Sequence, residues 1–121
     1  PPKKLEIQNH VNGSTLEVRE AERIALTCIA RHSKPAAKLK WYRNGILLQG
    51  GSFHPREETT NGRVHTTLST ITVYVIMDDN GASYTCEAIH RALTHPLRAK
   101  ISIDVLCGQT FDFDDLFLPW K

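Results

Sequence analysis

Apolar and polar residues alternate along much of this chain, and the alternation predicts β-strands. Between residues 24 and 30, the apolar side chains Ile24, Leu26, Cys28 and Ala30 fall on even positions, with polar Thr27 among the residues between them. A period of two is typical of a strand with one buried and one exposed face.

The same pattern recurs often enough to define the fold class. Further strands are predicted over residues 5–7, 16–18, 37–42, 46–48, 64–76, 84–88 and 99–105. Residues 49–62 are rich in Gly, Pro and charge, so we expect a loop there with room for one short edge strand. No helical pattern stands out. Seven or eight strands without helices predict two packed antiparallel sheets.

Length and charge narrow the class of protein. The 121 residues correspond to one domain. The net charge of +2 is too small to predict nucleic-acid binding, which needs clustered basic residues. No apolar stretch approaches the ~18 residues that a membrane span requires. The chain opens on Pro1-Pro2 rather than on a signal peptide, so we expect a fragment of a larger secreted or membrane-anchored protein.

The three cysteines carry further information. Cys28 and Cys86 each lie inside an alternating segment, which favours a disulfide and an oxidising compartment. The alternative is a pair of buried, reduced thiols in a cytosolic domain. Cys107 is the odd one, so it is either a free thiol or an intermolecular disulfide that would make a covalent homodimer.

Two aromatic residues stand at informative distances from the paired cysteines. Trp41 follows Cys28 by 13 positions, and Tyr84 precedes Cys86 by two. A Trp packed on an inter-sheet disulfide, together with a tyrosine corner, is the signature of the immunoglobulin sandwich. We therefore predict an all-β, two-sheet antiparallel sandwich of the C2/I type over residues 1–106, in which the Tyr84 hydroxyl bonds nearby backbone.

Three segments bring the resemblance closer. They are Ser33 to Ala37, Lys40 to Gly45, and Asp78 to Ala88. With the Pro1-Pro2 opening, they resemble the second immunoglobulin domain of nectin and nectin-like (synaptic cell adhesion) molecules, or of irregular-chiasm and nephrin-type adhesion proteins. The usual corner pattern is Asp-x-Gly-x-Tyr-x-Cys, and here Ala82 adds one residue before the tyrosine, as is typical of this subgroup.

The resemblance implies a function. The chain would be an extracellular domain of a single-pass cell-surface adhesion protein that binds a homophilic or heterophilic protein partner. In such families the first domain makes the main adhesive contact, so this second domain would be a spacer that supports lateral contacts. Two alternatives remain: the ectodomain module of an immune or growth-factor receptor that binds a soluble ligand, and a cytosolic structural immunoglobulin repeat.

Catalytic and metal chemistry find little support in the sequence. The six histidines are scattered without metal-ligand spacing, so we predict that they lie at the surface and that no metal is bound. The chain has no Gly-rich phosphate loop and no G-x-S-x-G elbow. Adjacent carboxylates such as Asp78-Asp79 would point to opposite faces of an extended chain. We predict neither an enzyme nor a cofactor.

One motif and one surface are candidates for function. Asn12-Gly13-Ser14 is a glycosylation sequon in an expected turn. The sheet that carries Trp41 and Cys86 should also expose a mildly basic outer face, which is either a solvated surface or a binding surface. Its candidate contact residues are Lys38, Lys40, Tyr42, Glu87, Ile89, Arg98 and Lys100, with Thr85 and Ser102 beside them.

Residues 107–121 depart from the family pattern. The segment mixes acidic and aromatic residues, whereas an immunoglobulin domain is normally followed by a Pro-rich linker. Three interpretations stay open: a foreign or alternatively spliced end, a segment that folds back on the sandwich, and a segment that docks on a partner.

Overall fold

A computed structural model describes residues 4–33, 35–48, 53–60 and 64–106, with the backbone alone for residues 32, 53–60 and 64. Residues 107–121, and Cys107 with them, lie outside the described residues. The elements in chain order are β1 (Leu5–Ile7), β2 (Thr15–Arg19), β3 (Arg23–Ser33), β4 (Lys38–Arg43), β5 (Ile46–Leu47), β6 (Phe53–Thr60), β7 (Val64–Tyr74), a 3₁₀ helix (Met77–Asp79), β8 (Ser83–Ile89) and β9 (Leu97–Leu106).

These strands form the two packed sheets that the alternation predicts. One sheet has the order β1-β3-β7-β6 and is antiparallel throughout. The other has the order β2-β9-β8-β4-β5, in which only the β2–β9 pair is parallel. The immunoglobulin-like class is therefore confirmed. Within the described residues, none of the helices is long and apolar enough to cross a membrane.

In residues 49–62 we expected a loop with room for one short edge strand, and the structure has an edge strand of eight residues there. Residues 53–60 form β6, which pairs with β7 without a break from Phe53–Ile71 to Thr60–Val64. Its sequence shows no alternation because an edge strand can carry charged residues and a proline, here Pro55, without exposing an apolar face. This eight-residue strand raises the number of strands in the described residues to nine.

The core lies between the sheets around Trp41, which is fully buried. The Cys28–Cys86 disulfide joins β3 to β8, and the two cysteines are 58 positions apart in the sequence. On the loop-entropy model, closing a loop of that length stabilises the fold by roughly 4 kcal/mol. The Trp41 indole N–H donates to Ser69 Oγ at 3.1 Å, so its one polar atom is satisfied.

A buried carboxylate, Asp79, fixes the corner before β8. Arg43 donates to Asp79 Oδ1 from Nη2 at 2.8 Å and from Nε at 3.2 Å, and the backbone N–H of Ile76 donates to Oδ2 at 2.9 Å. The Tyr84 hydroxyl also approaches Oδ1, at 3.4 Å. We expected this hydroxyl to bond backbone, and it instead reaches a side chain that is itself bonded to backbone.

Charge and burial in this corner shift the pKa values of both partners of Asp79, which are Arg43 and Tyr84. The hydrogen bond to Asp79 raises the pKa of Arg43. Burial is the main reason that the pKa of Tyr84 is raised, since it disfavours the phenolate. Arg43, Asp79 and Tyr84 will be called the corner cluster.

Candidate recognition surface

The register of three strands assembles the outer face predicted from the sequence. Lys40, Glu87 and Arg98 are direct neighbours across β4, β8 and β9, and Tyr42, Thr85 and Lys100 form the next row. Because side chains two residues apart share a face, Lys38 and Ile89 extend the same surface. The name basic face will be used for these residues: Lys38, Lys40, Tyr42, Thr85, Glu87, Ile89, Arg98 and Lys100.

Glu87 stands at the centre of the basic face. We expected its side chain to be exposed, and the structure shows that it is buried. Only 7% of the residue is accessible. Arg98 donates to Glu87 Oε2 from Nε and Nη2, both at 2.9 Å, while the Tyr42 hydroxyl donates to Oε1 at 3.1 Å. The two longer side chains therefore lie over the carboxylate and take its place at the surface.

Tyr42 is held as a neutral hydrogen-bond donor. Desolvation is the largest reason that its pKa is raised, followed by the hydrogen bond and negative charge of Glu87, while Arg98 acts in the opposite direction. A phenol that donates to a carboxylate resists ionisation because the phenolate would face a second negative charge. Tyr42, Glu87 and Arg98 will be called the face cluster.

The basic residues around the face cluster remain in water. Lys38, Lys40, Arg98 and Lys100 are all exposed. Among the described residues, Lys38, Lys40 and Lys100 form no ion pair. The face thus presents four cations, with a single carboxylate that is already bonded and covered.

A shallow cleft lies within this face. It has a volume of about 320 Å³ and is lined by Tyr42, Gly45, Thr85, Glu87 and Arg98. Its lining combines polar and apolar surface and includes the charged pair of Glu87 and Arg98. Pockets that enclose small molecules are mostly apolar, so this cleft suits contact with a larger polar surface.

The sequon lies at the edge of the same sheet. Asn12 is exposed, and its Oδ1 accepts a hydrogen bond from the backbone N–H of Lys100 at 2.8 Å. The next residue, Gly13, has φ +86° and donates its N–H to the Lys100 carbonyl at 2.7 Å. A glycan on the Asn12 amide nitrogen would border the basic face. Its occupancy stays a prediction.

The prediction that the histidines lie at the surface is wrong for His90, which is only 6% accessible. Its Nδ1 accepts from the Ala92 N–H at 3.1 Å, so Nε2 carries the proton and donates to the Pro35 carbonyl at 2.8 Å. The ring ties the turn after β8 to the loop before β4. In the described residues, no group of three or more His, Cys, Asp or Glu side chains lies close enough to hold a metal ion.

The sandwich, the inter-sheet disulfide and the tyrosine corner together define an immunoglobulin domain. The family model for CD80-like C2-set immunoglobulin domains matches residues 6–96. The chain therefore belongs to that family.

Individual relatives point to adhesion molecules. The chain is 42% identical over 74 residues to Cell adhesion molecule 4 of Xenopus laevis, covering 61% of the chain and 18% of that protein. It is 34% identical over 83 residues to Cell adhesion molecule 3 of Homo sapiens, covering 69% of the chain and 21% of the relative. The chain thus spans about a fifth of the curated relatives that it matches.

Solved structures agree with this assignment. The full ectodomain of mouse nectin-like molecule 4 superimposes with a TM-score of 0.68 at 27% identity, covering 88% of this chain and 34% of that one. The Rst D1–D2 structure gives a TM-score of 0.79 at 21% identity, over 88% and 50% of the two chains, which shows the fold alone. The resemblance to nectin-like adhesion molecules is confirmed, while the place of the domain within its parent stays a prediction.

Proposed function

We propose that this chain is an extracellular domain of a single-pass cell-surface adhesion protein, and that it supports recognition between cells by binding a protein partner. The curated relatives are adhesion molecules by name. The contact surface in this proposal is the basic face, with Tyr42 and Arg98 as its anchors.

The observation that carries the proposal is the ordered centre of this face. Tyr and Arg are the residue types that most often dominate binding energy at protein interfaces. Here both are fixed by hydrogen bonds to Glu87 before any partner arrives. Pre-organisation lowers the entropy cost of association, so the bonds favour Tyr42 and Arg98 as contact residues rather than as merely solvated ones.

An extracellular location accounts for two further features. The Cys28–Cys86 disulfide is of a kind that persists in oxidising compartments and is rare in the cytosol. The Asn12 side chain is exposed in a turn, as an acceptor for a glycan must be. Protein secreted from mammalian cells is treated with a glycosidase and its mass is measured. A loss of mass in wild type but not in Asn12→Gln would count against the cytosolic structural repeat.

A single domain would bind weakly, and many copies between two membranes would add avidity. Homophilic and heterophilic binding both fit this scheme. Cys107 offers a separate route to a covalent homodimer, and a single monomer band on non-reducing electrophoresis of oxidised protein would exclude it.

Beads coated with the 121-residue chain test the proposal directly. Their clustering with each other, and their binding to cultured cells whose glycosaminoglycans have been removed by lyases, would be scored for wild type and for Tyr42→Ala. We expect the substitution to weaken protein-mediated binding by at least about tenfold, as for an interface anchor.

Tyr74→Ala is the matched control. Tyr74 is 55% accessible and lies on β7 in the opposite sheet. The Tyr74→Ala variant therefore loses the same kind of side chain while the basic face stays unchanged. Equal binding by wild type and Tyr42→Ala, with both proteins folded, would remove the basic face from the proposal. Binding of a soluble protein without any clustering or cell attachment would favour the soluble-ligand receptor instead.

A further inference from the structure

The cations of the basic face form a regular array. Lys38 and Lys40 lie on β4, and Arg98 and Lys100 lie on β9, with β8 between the two strands. Residues two positions apart on one face are separated by about 7 Å, and strands two places apart by about 10 Å. Four basic side chains thus stand at the corners of a small quadrilateral.

The one negative charge inside this array is already paired. Glu87 is the one carboxylate on this part of the face among the described residues, and its oxygens are bonded by Arg98 and Tyr42. Asp104 and Glu17 are paired in register further along the same sheet. Asp104 is four residues from Lys100, or about 13 Å along the strand. Glu87 offsets the charge of Arg98, and the charges of the three lysines remain uncompensated within the array.

The cations also retain unused donors. The bonds of Arg98 to Glu87 occupy two of the five N–H groups of a guanidinium, which leaves three for other oxygens. The three lysines carry three donors each on flexible stems. Such a set can follow a row of anionic groups whose spacing is not fixed in advance.

We propose that the basic face binds a sulfated glycosaminoglycan, a linear polyanion that lies across β4, β8 and β9. Clusters of Lys and Arg on one face are the electrostatic signature of polyanion binding. Lysines are depleted at the cores of protein interfaces, whereas they bind sulfate well as point charges. The spread of the cations across three neighbouring strands fits an extended polymer. The disulfide favours an oxidising, extracellular compartment, where such polymers rather than nucleic acids occur.

This inference does not depend on the proposed adhesive function. The protein contact is centred on Tyr42 and Arg98, while the polymer is held by the surrounding lysines together with Arg98. Since both ligands would share the face, the polymer competes with a protein partner for it.

Heparin-affinity chromatography in a salt gradient tests the site. The folded 121-residue chain is compared with Lys38→Glu/Lys100→Glu and with the control Lys4→Glu/Arg19→Glu. The control makes the same change in charge at two exposed positions away from the array. We expect wild type and control to remain bound above physiological salt, about 0.15 M, and the array variant to elute earlier.

The salt dependence gives a second measure. Losing two ionic contacts to a polyanion lowers the slope of log K against log salt by about two. We expect this loss in the array variant and no more than a small change in the control. Identical elution of both variants, or no retention of wild type at physiological salt, would overturn the proposal.

Competition separates sulfate recognition from general attraction to anions. Heparin should displace the chain from the column at a far lower charge concentration than desulfated heparin, hyaluronan or polyglutamate. Equal displacement by polyglutamate would overturn the sulfated-polymer proposal in favour of an acidic protein. The bead assay on lyase-treated cells is blind to glycosaminoglycan, so it fails or succeeds independently of this test.

Discussion

The corner cluster and the face cluster use the same three kinds of side chain in different surroundings. Each joins a buried carboxylate to an arginine and a tyrosine hydroxyl: Asp79 with Arg43 and Tyr84, and Glu87 with Arg98 and Tyr42. In both, the carboxylate side chain is nearly inaccessible, at 8% and 9%. The difference lies in what covers it.

The corner cluster is built into the fold. Asp79 also accepts the backbone N–H of Ile76, its tyrosine is buried, and the side chain of Arg43 is 34% accessible. The face cluster lies on the outside of a sheet, where the side chain of Arg98 is 61% accessible. Identical chemistry therefore stabilises a chain reversal in one place and organises a surface in the other.

Replacing the corner carboxylate should have the largest effect. In Asp79→Asn, one amide nitrogen must face an N–H donor, because Oδ1 and Oδ2 both accept hydrogen bonds in the wild type. We expect the free energy of unfolding to fall by about 2–3 kcal/mol. This loss is at or below the lower end of the cost of breaking a buried ion pair, because the Arg43 side chain remains partly accessible to water. Chemical denaturation measures it.

Asp78→Asn is the neighbouring control. The Asp78 side chain is exposed, and Arg43 bonds its backbone carbonyl rather than its carboxylate. We expect a change within about 0.5 kcal/mol. Equal losses from the two substitutions would show that the corner cluster is not what stabilises this turn.

The corresponding change on the face should cost less. In Glu87→Gln, water can replace part of what exposed Arg98 loses, so we expect about 1 kcal/mol of destabilisation. Glu17→Gln, at an exposed position of the same sheet, serves as the control. A loss as large as that of Asp79→Asn would break the distinction between a structural and a surface cluster.

Alkaline pH should produce the smallest and most selective difference. The pKa values of Tyr42 and Tyr84 are both raised in the folded protein, above the ordinary value of about 10. A raised tyrosine pKa contributes stability that is fully present below about pH 10 and is lost as pH rises through the folded value. Unfolding free energies between about pH 9 and pH 11 should therefore fall less steeply in Tyr42→Phe than in wild type.

Phenolate absorbance of the folded protein provides the direct check. Tyr42→Phe should remove one late-titrating group, and Tyr84→Phe another. Parallel pH–stability curves for wild type and Tyr42→Phe would mean that folding does not raise the pKa of Tyr42.

Local patterns predicted most of the fold because they record which face of each strand is buried. The strand patterns predicted eight of the nine strands in the described residues, and the spacing of Trp41 and Tyr84 from the two cysteines predicted the sandwich. The edge strand expected within residues 49–62 is present as β6, but its bounds and its length of eight residues were not predictable because an edge strand need not alternate. The burial of His90 was not predicted because it depends on a contact with the Pro35 carbonyl, which is 55 positions away in the sequence.

The sequence by itself determined the class of this protein: a disulfide-linked immunoglobulin sandwich with a basic outer face and a sequon at its edge. The tertiary structure alone decided that Glu87 is buried among Tyr42 and Arg98. Tyr42 is 45 positions and Arg98 11 positions from Glu87 in the sequence, and strand register brings them together. That register is fixed by the packing of the whole core and not by any local run of residues.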